Sequence, residues 1–380
     1  MAPQSFFLRE DQRIYRQSLT RWLEDNWSLR ERRAAVAGAP GYSREAWARL
    51  AEIGALGVLL PERVGGAGGA GVDLMITMES FGQALFASPY LWTVVLGGSL
   101  LAVCGRPRDE LLRRIVEGDL VVAVSLTEPR SRYDLQHVET RAQRQGTGYR
   151  LSGEKIGVAY ADAAELILVP ARTAGGPRDP EGITLFLVDR EEIELRSFAT
   201  ADGGRAADLT LREAAVDETA VVGKPAAGLE LLRQAVDLAI LAQCAEAVGS
   251  MRALLGGTLS YAKTREQFGA TLGSFQALQH RMVDMFAATE MAASRVQAAL
   301  ARVSGVEDAV DPHDAVMTKI QVDKAARLVG QEAVQIHGGM GMTDDLDVGH
   351  HFKRLTMMAL TFADQGKLNE RYRDLNTSPS

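Results

Sequence analysis

The chain has 380 residues, enough for two or three domains with a sizeable apolar core. It is 46% hydrophobic and 24% charged, the balance of a folded protein rather than a disordered one. Against 42 basic residues stand 49 acidic ones, a formal net charge of −7. No basic stripe stands out, which argues against nucleic acid as a partner.

The first ten residues lack the apolar run and cleavage site of a signal peptide. The most apolar stretch, 91–103, is too short and too interrupted by glycine to span a bilayer, so a cytoplasmic protein without membrane association is expected. Residues 1–120 read as an N-terminal helical domain, because apolar positions recur at three- and four-residue spacing over 11–27, 43–56 and 73–85. Ser43 suits an N-cap. The glycine-dense run 64–71 (VGGAGGAG) lacks the Lys-Ser/Thr ending of a phosphate loop and reads as a flexible connection between helices.

Residues 121–224 change to short β-rich runs, 149–158, 165–172, 182–189, 193–198 and 207–211, split by Gly, Pro and Asp. They predict a small antiparallel barrel or sandwich, with 172–181 as an exposed loop. After Gly223-Lys224-Pro225 the helical period returns over residues 225–380, with long helices at Gly228–Thr264, 276–303 and 311–337. Asp311-Pro312 is a credible helix start, and helices of this length form a bundle. The fold class is α+β, mostly α. Cys104 and Cys244 are too few for a disulfide framework or a cysteine zinc site and read as small buried hydrophobes.

Three local motifs point to chemistry. Ser125-Leu126-Thr127-Glu128-Pro129 is a strand-end turn, with Asp134 beyond it. The string 261–269 (YAKTREQFG) sets Arg265 beside Gly269, with Phe268 and Phe275 supplying apolar faces; a guanidinium beside accessible backbone suits a dinucleotide pyrophosphate. The string 335–343 (QIHGGMGMT) puts glycines at a helix end, where a ligand can approach the backbone closely. His337, His350 and His351 have no matching carboxylate and cysteine set, so no metal is expected. There is no G-x-G-x-x-G after a strand, which argues against a doubly wound nucleotide site.

In this order the three motifs resemble the acyl-CoA dehydrogenase superfamily over nearly the whole chain. Arg132-Tyr133-Asp134, 244–249 (CAEAVG) and 275–285 (FQALQHRMVDM) are most similar to the small subunit of bacterial two-subunit enzymes of the pimeloyl-CoA dehydrogenase kind. The resemblance implies an N-terminal helical bundle, a middle antiparallel β-barrel or sandwich and a C-terminal four-helix bundle. It implies FAD as cofactor, an acyl-CoA thioester as substrate and α,β-dehydrogenation as the reaction, in fatty acid or steroid catabolism. An electron-transferring flavoprotein would take the electrons. A homo- or hetero-oligomer, the latter with a second acyl-CoA dehydrogenase subunit, is the implied assembly.

Residue by residue, the resemblance assigns Leu126 and Thr127 to the flavin ring. It turns Arg265, Gln267, Phe268, Leu272, Phe275, Gln276, Gln335, Gly338 and Gly339 toward FAD, several of them toward a neighbouring subunit's FAD. The sequence departs from the family at the catalytic base, where Ala239 and Ala363 occupy the two positions that usually carry a carboxylate. Asp364 is the preferred substitute and Asp237 the second, each also readable as a structural acid. The residues that cover the ring align with Gly157 and Ala159, and the usual small Gly-Ser pair with Arg132 and Tyr133. Two further readings stay open: a non-catalytic subunit that completes a partner's FAD site, and a flavin-dependent monooxygenase component on the same fold.

Overall fold

The computed structural model describes residues 8–377. Four helices open it: α1 (Glu10–Asn26), α2 (Leu29–Val36), α3 (Arg44–Glu52) and α4 (Gly71–Ala84). Ser43 caps α3 as expected, its Oγ accepting the Ala46 amide at 3.1 Å. Helix α2 is too short to show a period, but Ser28 and Glu31 form a capping box at its start.

The glycine-dense connection is packed rather than flexible. The Gly69 amide donates to the Val58 carbonyl and the Gly71 amide to Val303, both at 2.8 Å. A Cβ at Gly66 would lie 2.1 Å from the Leu60 carbonyl oxygen. Glycine density here records backbone lying on backbone. A π-helical segment, Leu91–Gly97, then runs into α5 (Gly98–Ala102), and α6 (Asp109–Glu117) leads to the sheet.

The middle of the chain forms one eight-stranded sheet: β1 (Val122–Val124), β2 (Arg141–Gln145), β3 (Gly148–Ala159), β4 (Leu166–Arg172), β5 (Ile183–Asp189), β6 (Glu194–Ala199), β7 (Arg205–Asp217) and β8 (Val221–Val222). Its order is β6-β7-β3-β2-β4-β5-β8, with β1 beside β4. Most pairs are antiparallel, but β1 runs parallel to β4 and β2 meets β4 in one parallel pair, so the sheet is mixed. The pairing of β3 with β7 is irregular between Lys155 and Val158. This irregularity turns the Gly157 segment toward the cavity described below.

The last third is helical: α7 (Gly228–Thr264), α8 (Gln276–Leu300), α9 (Pro312–His337), α10 (Asp347–Leu360) and α11 (Gln365–Thr377). Asp311 caps α9 through the His313 amide, with Pro312 at the first position as expected. Helix α7, rather than 91–103, is the one helix among the described residues long and apolar enough to cross a membrane, but its apolar window is 83% buried, packed against α4, α8, α9 and α10. It meets α4 backbone to backbone: a Cβ at Gly82 would stand 1.8 Å from the Glu246 carbonyl oxygen, and one at Gly249 1.9 Å from that of Glu79. A short hairpin, β9 (Glu266–Gln267) and β10 (Ala270–Thr271), projects between α7 and α8. Cys244 is buried, whereas Cys104 is half-buried and its sulfur accepts the Gly223 amide at 3.1 Å.

Candidate functional site

A cavity of about 450 Å³ opens between the sheet and the C-terminal helices, within the size range of small-molecule sites. Its apolar wall includes Trp92, Leu126, Ile156, Val236, Met357 and Phe362. The rings of Trp92 and Phe362 lie 5.4 Å apart, so the π-helical segment and the end of α10 close one side together. Thr127, Arg132, Tyr133, Thr200, Asp202, Arg205, Asp208 and Arg354 supply its polar groups.

The loop carrying Leu126 and Thr127 is held from below. Its carbonyl at Thr127 accepts the Ile156 amide at 2.9 Å. Next to it, Glu128 is buried against Lys155, Nζ to Oε1 2.7 Å, and Lys155 also donates to the Pro170 carbonyl at 2.8 Å. Burial works against ionisation of Glu128. Lys155 together with donors from Thr140 and Glu139 outweighs it and holds the carboxyl below its ordinary value. This pair fixes the loop that lines the cavity.

Gly157 and Ala159 line the cavity as well. Gly157 has φ +63° and open space where a Cβ would stand, and its amide donates to Asp208 at 3.0 Å. Arg132 and Tyr133 also face this space. Burial raises the Tyr133 phenol, with nearby Asp364 adding to the shift and Arg132 opposing it.

No carboxylate at the cavity is without a partner among the described residues. Asp202 accepts from Arg354 at 2.9 Å, and Asp208 from Arg196 at 2.5 Å. Asp364 sits near Tyr133, but its Oδ1 accepts the Lys367 amide at 2.9 Å, the N-terminal cap of α11. Asp237 is buried in a bidentate pair with Arg371, two bonds of 2.7 Å, and does not line the cavity. The two positions where the resemblance places a base, Ala239 and Ala363, are buried alanines.

The remaining motif residues gather elsewhere. Among the described residues lining the cavity, none comes from 261–276 or 335–343. Those two strings meet instead through the ring of Tyr261, which stacks on His337 with centroids 4.3 Å apart. The His337 ring is oriented by a 2.8 Å hydrogen bond from Nδ1 to the Ala333 carbonyl. In the hairpin, Phe268 and Gly269 both have positive φ, as a two-residue turn between these strands requires. Phe268 is 93% exposed and stands edge-on to Phe275 at 6.4 Å. Arg265, Gln267, Gln276, Gln335, Gly338 and Gly339 are exposed with it, while Leu272 is half-buried.

Sequence reasoning did not find Trp92, Asp202 or Arg354 as cavity residues. Each reaches the site through contacts far along the chain, as Arg354 does with Glu246, 108 residues earlier. No local spacing marks such residues.

The chain matches three family descriptions in succession: acyl-CoA dehydrogenase N-terminal domain over residues 9–119, middle domain over 123–211 and C-terminal domain over 226–362. It is 30% identical over 353 residues to the acyl-CoA dehydrogenase FadE27 of Mycobacterium tuberculosis, covering 89% of this chain and 90% of the relative. The structure matches a chain of the ChsE4-ChsE5 complex from the same organism at 27% identity and a TM-score of 0.86, covering 99% of this chain and all of that one. Butyryl-CoA dehydrogenase of Megasphaera elsdenii shares the fold, with a TM-score of 0.89 at 21% identity and coverage of 98% and 100%. With three consecutive domains matched in order and the fold shared end to end, the chain belongs to the acyl-CoA dehydrogenase family of oxidoreductases.

Proposed function

We propose that this chain is one subunit of a heteromeric, FAD-dependent acyl-CoA dehydrogenase, and that it completes a partner's FAD site without supplying a general base of its own. The observation that carries the reading is the state of its acids. Proton abstraction next to a thioester carbonyl needs a carboxylate free to approach the substrate. Here Asp202, Asp208, Asp237 and Asp364 all have structural partners, and alanine stands at both expected positions.

The residues fit FAD unevenly. At the hairpin and the end of α9, Arg265, Gln335, Gly338 and Gly339 are exposed; a Cβ at either glycine would meet open space. A cation, amide side chains and open backbone suit a pyrophosphate and nucleoside approaching from outside the chain. In the cavity the fit is poor: Arg132 and Tyr133 stand where small residues are expected, and Gly157 and Ala159 offer no ring cover or hydroxyl. FAD, when bound, supplies the two-electron acceptance that dehydrogenation of a thioester requires. This chain's residues would hold its nucleotide end and help exclude water from the neighbouring site. The match to a chain of the ChsE4-ChsE5 complex supports an assembly of unlike chains. An electron-transferring flavoprotein would be the acceptor.

The test is FAD content and acyl-CoA oxidation with an artificial acceptor, for the chain alone and coexpressed with a second acyl-CoA dehydrogenase subunit. The expected result is little FAD and no turnover alone, with FAD and turnover in the complex. One tightly held FAD per chain, with turnover by the chain alone, would overturn the proposal.

A further inference from the structure

The charges facing the cavity are paired with one exception. Arg205 pairs with Asp162 at 2.9 Å, and Arg354 with Glu246 at 2.7 Å and Asp202 at 2.9 Å. Asp208 is held by Arg196 and the Gly157 amide. Arg132 alone among the described charged residues of the lining makes no hydrogen bond or ion pair. Two acids outside the lining are engaged elsewhere: Asp134 accepts the Gln136 amide at 3.1 Å, and Asp364 caps α11.

The placement of Arg132 is also unusual. Its φ is +47°, a left-handed conformation that costs about 1–2 kcal/mol for a residue with a branched or long side chain. The turn is set by the Ser131 amide on the Glu128 carbonyl, 3.1 Å, and the Asp134 amide on the Ser131 carbonyl, 2.9 Å. The buried Glu128–Lys155 pair anchors its base. The turn thus holds an exposed, unpaired guanidinium in the lining of a largely apolar chamber that Tyr133 also lines.

We infer that Arg132 is an anion-recognition residue of this cavity, holding a carboxylate or phosphate group of an acyl-thioester ligand. A guanidinium offers two parallel donors to such a group, and the phenol of Tyr133 stands ready as a third. The inference rests on the proposed function, in which an acyl-CoA thioester is the substrate, but not on which subunit carries FAD or the base.

Equilibrium titration of the full chain tests it with four probes: adipoyl-CoA, hexanoyl-CoA and the same two acyl groups as N-acetylcysteamine thioesters. The variants are Arg132→Asn, because asparagine tolerates left-handed backbone, and Arg132→Lys, which keeps charge without the fork. If the anion is an acyl carboxylate, adipoyl thioesters bind about tenfold tighter than hexanoyl ones, and Arg132→Asn removes the preference. If it is a CoA phosphate, both CoA thioesters weaken about tenfold in Arg132→Asn while the N-acetylcysteamine thioesters do not change. Arg132→Lys should fall between wild type and Arg132→Asn in either case. Equal binding of every probe by wild type and Arg132→Asn, with unfolding midpoints unchanged, would overturn the inference, as would a folded wild-type chain that binds none. Because the readout is binding rather than turnover, either result is independent of the FAD measurement that decides the proposed function.

Discussion

At the residue scale, the fold rests on buried polar groups whose partners are distant in sequence. His351 on α10 is buried, and its Nδ1 accepts the Ser250 hydroxyl of α7 at 2.7 Å. Burial, reinforced by nearby Arg32 and His350, pushes the ring down to about 3 from its ordinary value near 6.5. The sign follows directly. Below the ordinary value the unfolded chain takes up a proton that the folded chain refuses, so stability falls as pH drops through this window. The slope is about 1.4 kcal/mol per pH unit, or about 2 kcal/mol between pH 6.5 and 5. His351→Asn keeps an acceptor for Ser250 and removes the titration, so urea unfolding at the two pH values should show a shallower loss than wild type. An identical slope in the variant would assign the acid sensitivity to other groups. Caps such as Ser43 and Asp311 were legible in the sequence because both partners lie within three residues. The His351 contact was not, because the pair is 101 residues apart.

At the element scale, the sequence shows its long helices and most of its strands, since period and turn residues are local. It misses α2, α5, α6, α10 and α11 and the packed glycine connection, where tertiary contact sets the outcome. Gly66 and Gly71 look like linker residues in the string but are fixed by backbone contacts to Leu60 and Val303. The same limit applies to Asp364. Read in sequence it is an acid one residue from an expected base; in the structure it is the first cap of α11. That helix is held further by Leu368 packing against Val316 and by Arg371 on Asp237. Two substitutions separate the roles. Asp364→Asn keeps an acceptor for the Lys367 amide and should leave turnover of the assembled enzyme near wild type. Asp364→Ala removes the cap and should lower stability by about 1 kcal/mol. A fall in turnover of about a hundredfold or more in Asp364→Asn, with unchanged stability, would instead make Asp364 the base.

At the scale of the whole molecule, the three parts of the chain are tied together by two cations, Arg354 and Arg32. Arg354 on α10 reaches Glu246 on α7 through two bonds of 2.7 and 2.9 Å and Asp202 in the β domain at 2.9 Å. Arg32 from α2 joins from the other side, donating to the carbonyls of Asp202 at 2.6 Å and Leu85 at 2.9 Å. Because Arg354 also lines the cavity, this clasp sets the position of the β domain against the bundle at the site itself. Replacing Arg354 with Met would take from the buried Asp202 and Glu246 carboxylates the guanidinium that bonds both and leave only Arg32 as a nearby cation, a loss of about 3–5 kcal/mol at neutral pH. For Asp202, burial opposes ionisation, but Arg354 and hydrogen bonds from Thr200 and Gly204 prevail and hold the carboxyl below its ordinary value. Its stabilising contribution is therefore present above the ordinary carboxylate range and is lost as pH falls through the depressed folded value. In Arg354→Met the Asp202 carboxyl loses that support and takes up a proton at higher pH. The deficit relative to wild type should then shrink on acidification, measured by urea unfolding at pH 7 and pH 4.5. A deficit that stays constant across the two would mean that lost packing, rather than the uncompensated acids, is what the clasp prevents.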